Sequence, residues 1–168
     1  MKKSCFLIIC TLLVLSGCQP DSVNKTPDLD SVEASVSALA DLYQGYWKGR
    51  NADALIAMLD DNGFYCGTDP GELLNKDDLA EMWTQYFSDS THFRDFKPNT
   101  RKIHVSADGQ SAIVMEQIAL KELTPNFPVR RQTMHVVKVG EDWKIDFISW
   151  SFLINNEDIE KIDQAFAE

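Results

Sequence analysis

Apolar residues recur at Val32, Val36, Leu39, Tyr43 and Tyr46, in steps of 4, 3, 4 and 3. That spacing lays one apolar stripe along a helix. Asp30 with Glu33 three residues on forms a capping-box-like start, and Gly49 supplies a C-terminal stop. Asn51 then caps a second, short helix over Ala52 to Leu59, with Leu55, Met58 and Leu59 apolar. Asp60-Asp61-Asn62-Gly63 ends it, and Phe64 to Cys66 predicts a short strand. Asn75 caps a third helix, with Asp77 and Asp78 in the first turn, where the helix dipole favours carboxylates. Leu79, Met82, Trp83, Tyr86 and Phe87 make its buried stripe.

Beyond this point the period changes to two. Phe93 to Ser106 predicts a strand that ends in the hairpin signal Ala107-Asp108-Gly109-Gln110, and Ser111 to Lys121 is its return. Thr124-Pro125-Asn126-Phe127-Pro128 is a loop, because proline cannot donate to a central ladder. Val129 to Val139 and Trp143 to Leu153 are further strands, joined at Gly140-Glu141-Asp142, and Glu157 to Phe166 closes the chain as a short helix. Short turns between successive strands imply an antiparallel meander. The predicted class is α+β: N-terminal helices packed on one curved sheet, with no internal repeat and no second domain.

The first residues read as an address. Lys2 and Lys3 precede an apolar run from Cys5 to Leu15. A membrane span needs about 20 such residues, so the run fits the h-region of a secretory signal. Leu15-Ser16-Gly17-Cys18 then resembles the lipobox of bacterial lipoproteins. That resemblance implies a signal peptide over 1–17, cleavage before Cys18, and a lipid on its thiol. It also implies the outer membrane in a Gram-negative host, since Gln19 rather than Asp follows the cysteine. Residues 18–29 form a polar, proline-containing tether, and 30–168 the folded domain. Removing the signal and lipidating Cys18 leaves Cys66 as the lone thiol, so no intramolecular disulfide is expected. The chain carries 26 Asp+Glu against 16 Lys+Arg, and this acidity argues against a nucleic-acid partner.

Three stretches carry a second resemblance. Tyr46-Trp47-Lys48-Gly49-Arg50-Asn51-Ala52-Asp53-Ala54-Leu55 is similar to the helix-break-helix opening of SnoaL-like domains of the nuclear transport factor 2-like superfamily. Gly67-Thr68-Asp69-Pro70-Gly71-Glu72 resembles the loop after their first short strand, and Trp143 to Ser151 their last strand. The resemblance spans about residues 30 to 153. It implies a cone-shaped α+β sheet, open at one end, with an apolar pocket and frequent dimers. Superfamily members include isomerases, cyclases, dehydratases and binding modules, so the fold does not settle the function.

Strand parity nominates the chemistry. Val129, Val137 and Val139 mark the inner face of their strand, so Arg131, Thr133 and His135 are expected to point inward with them. Met134 and Val136 then lie outside, with Ile148 on the next strand, and predict a homodimer surface. On the preceding strand Glu116 shares a face with Ala112, Val114, Ile118 and Leu120. A buried Glu116 would be a candidate base and a partner for Arg131 or His135; a structural ion pair describes it equally well. Paired with Glu116, the His135 imidazole would titrate above its ordinary value of about 6.5; in an apolar pocket without that pair, below it. Asp69 sits in an Asp-Pro-Gly turn that places it, or Glu72, at the pocket mouth. The catalytic candidates are therefore Glu116, His135 and Asp69. The ligand-binding candidates are Tyr65, Trp83, Phe87, Arg131, His135 and Ser149. His92, His104 and His135 are not at metal-ligand spacing, and no nucleotide or nucleophile-elbow motif is present, so neither metal nor cofactor is expected.

The sequence thus predicts an envelope lipoprotein whose domain binds a small, mostly apolar molecule. The alternatives are a cofactor-free isomerase, cyclase or dehydratase, and a dimeric scaffold of the envelope. If Cys18 carries the lipid, Cys18→Ser abolishes incorporation of an alkyne palmitate in growing cells; equal labelling of the two chains would refute the anchor.

Overall fold

A computed structural model describes residues 26–88, 98–119 and 129–167. The signal peptide, Cys18, His92, Phe93 and the loop 124–128 lie outside these. Helix α1 (Leu29–Lys48) begins at Asp28, whose carboxylate accepts the Ser31 N–H at 3.3 Å, two residues before the predicted start, and ends at Gly49. Arg50 follows with φ 55°, and this left-handed step separates α1 from α2 (Ala52–Ala57). Asn51 caps α2 through Ala54 N–H at 3.0 Å. Strand β1 (Leu59–Cys66) starts earlier than predicted, because the acidic Asp60-Asp61-Asn62 run is strand rather than turn. After β2 (Leu73–Leu74) comes α3 (Lys76–Ser88), where Asn75 and Asp78 cap each other's N–H groups at 3.0 and 3.2 Å.

Strands β3 (Pro98–Val105), β4 (Ser111–Ala119), β5 (Val129–Val139) and β6 (Asp142–Phe152) form the expected meander. The six-stranded sheet runs in the order β2-β1-β6-β5-β4-β3. Its one parallel pairing, β1 with β6, brings Tyr65 opposite Ile148. A 3₁₀ turn (Asn156–Asp158) and α4 (Ile159–Ala165) end the described chain.

Helix α1 lies against β3 and β4, and α3 against β1. The core fills the space between these helices and one face of the sheet. Val36, Ala40 and Tyr43 of α1 and Leu79 and Trp83 of α3 are buried there. Edge-on aromatic contacts join the two helices: Tyr43 to Trp83 at 6.3 Å, and Trp47 to Trp83 and Phe87 at 6.0 and 4.8 Å between ring centres.

The sheet's contribution to this core corrects the predicted parity of β5. Gln132, Met134 and Val136 point inward and are buried, while Arg131, Thr133, His135 and Val137 lie on the outer face and Val139 is half exposed. The physical reason is the register with β4. Its clean alternation of Ala112, Val114, Glu116 and Ile118 is buried, and Val136, Met134, Gln132 and Arg130 stand opposite these residues. Across the hairpin the register slips between His135 and Val136, leaving Asp146 as an extra residue on β6. Counting by twos from the turn therefore fails. Met134, Val136 and Ile148, expected to form a dimer surface, are core residues with no exposure. Ile148→Ala should cost about 3 kcal/mol in urea unfolding, and the adjacent outward Ser149→Ala less than about 0.5 kcal/mol. The reverse ranking would restore the sequence-based parity.

Candidate functional site

One end of the molecule carries a half-open cleft of about 170 Å³. The strand ends that meet there are the C-terminal ends of β1 and β6 and the N-terminal end of β5. Helices supply Trp47, Met82, Trp83 and Tyr86. The segment after β1 supplies Gly67, Thr68 and Glu72, and the sheet supplies Arg130 and Trp150. The walls are mainly indole, phenol and thioether, surfaces that accept flat apolar groups.

The floor changes character rung by rung toward this end. Val114, Met134 and Ile148 make an apolar rung; Arg101, Glu116, Gln132 and Trp150 make a polar one; Ile118, Arg130 and Phe152 make the last. Arg130 packs its guanidinium over the Phe152 ring at 5.5 Å and pairs with no carboxylate among the described residues. Burial lowers its pKa from the ordinary value, opposed by the nearby Tyr86, Tyr43 and Glu72. Its Nε–H and the buried Trp83 Nε1–H both lack an acceptor among the described residues. Glu72 turns back on its own loop, where its carboxylate accepts the Asp69 N–H at 3.0 Å and its backbone oxygen accepts the Gly67 N–H at 2.9 Å. Any Cβ at position 67 would run into the Glu72 side chain, so glycine there holds the rim closed on itself.

A curved sheet wrapped by α1 and α3 over an end cleft is the geometry that the motifs around Trp47 and Trp143 implied. A sequence model of the SnoaL-like domain matches residues 36–155. The chain belongs to the SnoaL-like domain family. No curated protein matches its sequence. Among solved structures it is similar to an NTF2-like protein of unknown function from Pseudomonas putida KT2440, with a TM-score of 0.65 at 15% identity, over 76% of this chain and 91% of that one. A DUF3225-family protein from Pectobacterium atrosepticum gives 0.62 at 18% identity, over 77% and 99%. A cystatin-like domain from Nostoc punctiforme gives 0.64 at 14% identity, over 82% and 87%. At such identities these structures bear on the fold alone.

This SnoaL-like domain does not bring the sequence candidates together. Trp83 lines the cleft, and Phe87 is buried behind it against Trp47. Tyr65 is wholly buried, with its hydroxyl shared between the Asp60 and Ile145 carbonyls, so it braces β1 against β6 and does not reach a ligand. Burial raises its pKa. Arg131, His135 and Ser149 stand on the outer face, opposite the cleft. There His135 Nδ1 meets the carboxylate of Asp146, not Glu116, at 2.7 Å. Asp69 is exposed in its turn, where it accepts the Gly71 N–H at 2.8 Å. Among the lining residues that the sequence reading did not name as ligand contacts are Trp47, which was assigned only to a motif, and Arg130, which the predicted parity put on the outer face with Met134 and Val136. Arg130 had a signal: it stands at even spacing from Gln132, Met134 and Val136, which share its face.

Glu116 is buried as its strand's alternation suggested, but it is not among the residues lining the cleft. Arg101 Nε donates to Oε1 at 2.7 Å, while Gln44 and Gln132 donate to Oε2 at 2.5 and 3.4 Å. Arg101 also donates to Asp41 at 2.7 Å and to the Ser37 carbonyl at 3.2 Å. Trp150 Nε1 donates to Gln132 at 2.8 Å, linking this network to the cleft wall. Burial raises the Glu116 pKa above the usual carboxylate range, and the Arg101 guanidinium opposes that rise. Arg101→Met should therefore cost about 3 kcal/mol near neutral pH, because it leaves a fully buried carboxylate without its cation. Glu116→Gln should cost less, since Arg101 keeps Asp41 and Ser37. With the folded pKa of Glu116 raised further in Arg101→Met, the folded state binds the extra proton, and stability falls as pH rises from the unfolded pKa through the folded one. Denaturation at pH 5 and pH 8 should show the larger deficit at pH 8; a deficit below 1 kcal/mol or independent of pH would remove the ion pair from this role.

Proposed function

We propose that this domain binds a small, mostly apolar molecule in the end cleft, and that a lipid on Cys18 holds it at the cell envelope, at the outer membrane in a Gram-negative host. The observation that carries the binding reading is the gathering of Trp47, Trp83, Tyr86 and Trp150 around one solvent-open cleft. Aromatic side chains of a core normally close on one another; here they leave a wall facing water. Support for the anchor comes from the order Lys2-Lys3, apolar run, Leu15-Ser16-Gly17-Cys18 and polar tether.

Binding is favoured over catalysis by where the acid–base groups stand. His135 is on the far face of the sheet and Glu116 is held by Arg101, so the two proposed partners do not share a pocket. A proton transfer would need a carboxylate within reach of the bound molecule. Among the described residues Glu72 is the one lining carboxylate, and one of its oxygens is engaged by the loop.

Three of the four tryptophans line the cleft, so intrinsic fluorescence reports its occupancy directly. A neutral single-ring probe, phenylacetamide, should change the emission of the full chain saturably. A ligand of that size binds with a Kd on the order of millimolar. Thr68 is exposed at the rim, and Thr68→Phe should fill the opening and weaken binding about tenfold. No saturable change, or no effect of Thr68→Phe, would overturn the assignment of the cleft.

A further inference from the structure

We infer that the molecule bound in the cleft is a small organic monoanion: one flat apolar ring, or a chain of similar bulk, that ends in a carboxylate received by Arg130. This rests on the cleft being a ligand site and adds the class of ligand.

The charge balance on the sheet's inner face separates two arginines that look equivalent in the sequence. Arg101 is compensated twice, by Glu116 and Asp41, each at 2.7 Å. Arg130 stands one rung nearer the cleft and has no carboxylate at ion-pair distance among the described residues. A partly buried guanidinium without an anion is costly, and an acidic chain has carboxylates to spare; among the described residues none is placed against it. Glu72 is the lining carboxylate that could have served, but it is directed at the Asp69 N–H of its own loop.

The hydrogen-bond inventory points the same way. The buried polar atoms of lining residues that find no partner among the described residues include the Trp83 indole N–H and the Arg130 Nε–H. Both are donors. A buried donor without an acceptor costs about 1–3 kcal/mol, so the cleft favours a ligand that brings oxygen acceptors, and a guanidinium favours a planar pair of them.

Size sets the remainder. An engineered apolar cavity of about 150 Å³ holds benzene. The cleft, at about 170 Å³, therefore takes one ring and a short acidic arm, with its open side leaving room for a substituent to project into solvent. The walls meet the ring through Trp47, Trp83 and Trp150, while the Phe152 ring, 5.5 Å from the guanidinium, holds the positive charge in place.

Phenylacetate and phenylacetamide have almost the same shape and differ in charge. In the full chain at neutral pH, tryptophan fluorescence should show phenylacetate binding at least tenfold more tightly. Arg130→Met should reduce that ratio to about one or lower, and Arg130→Lys should restore part of it. Glu72→Gln keeps an oxygen for the Asp69 N–H and removes a neighbouring negative charge, so the preference for phenylacetate over phenylacetamide should rise two- to threefold. The Glu72 variant leaves Arg130 in place and serves as the readout should Arg130→Met fail to fold. Equal affinity for the acid and the amide in the unmodified chain would overturn the monoanion and leave the cleft as a neutral site. Failure of both probes to bind would overturn the cleft itself.

Discussion

Glu116 is the residue around which the inner face of the sheet is organised. A carboxylate with no exposure has to be answered, and the answers come from three elements: Arg101 on β3, Gln44 on α1 and Gln132 on β5. Arg101 extends the connection to Ser37 and Asp41 on α1, and Gln132 extends it to Trp150 on β6. Apolar packing between α1 and the sheet is non-directional and would tolerate some sliding. The network does not, because each donor has a fixed geometry. It therefore fixes the angle at which α1 crosses β3 and β4, and with it the position of Trp47 at the helix end. A buried ion pair need not add net stability, but it does penalise misregistered arrangements.

The aromatic cluster depends on that placement. Trp47 meets Trp83, Tyr86 and Phe87 edge-on, and the side chain of Arg50, just beyond α1, reaches back to the Phe87 carbonyl near the end of α3. The left-handed step at Arg50 turns the chain so that this contact is made. A single cluster thereby closes the core on one side and forms the cleft wall on the other.

Much of this fold was legible in the sequence. The helix caps at Asn51 and Asn75, the stop at Gly49 and the hairpin turns at Gly109 and Gly140 are local signals, and local geometry decides them. The parity of β5 was not legible. Valines occupy both of its faces, and the decision rests on the register with β4 and on the extra residue at Asp146, which are properties of pairing rather than of the strand. The early start of β1 was hidden as well, since Asp60-Asp61-Asn62 has turn chemistry and forms a bulge between Leu59 and Phe64, the residues that pair with Ile145 and Phe147 of β6. The cleft inherits this limit. Trp83 and Tyr86 were visible on the apolar stripe of α3, whereas Arg130 emerges only once β5 faces the right way.

The parallel pairing of β1 with β6 has a consequence for the order of assembly. The Tyr65 hydroxyl reaches the Ile145 carbonyl across 80 residues of chain. Helices α1 and α3 and the β3–β4 hairpin are local structures that form early, but the contact between β1 and β6 closes a long loop and must wait for the last strand. Gly67, Thr68 and Glu72, which follow β1, meet Arg130 and Trp150 across the cleft only with that closure. The cleft is thus the last part of the domain to exist, and an incompletely folded chain has no binding surface to offer.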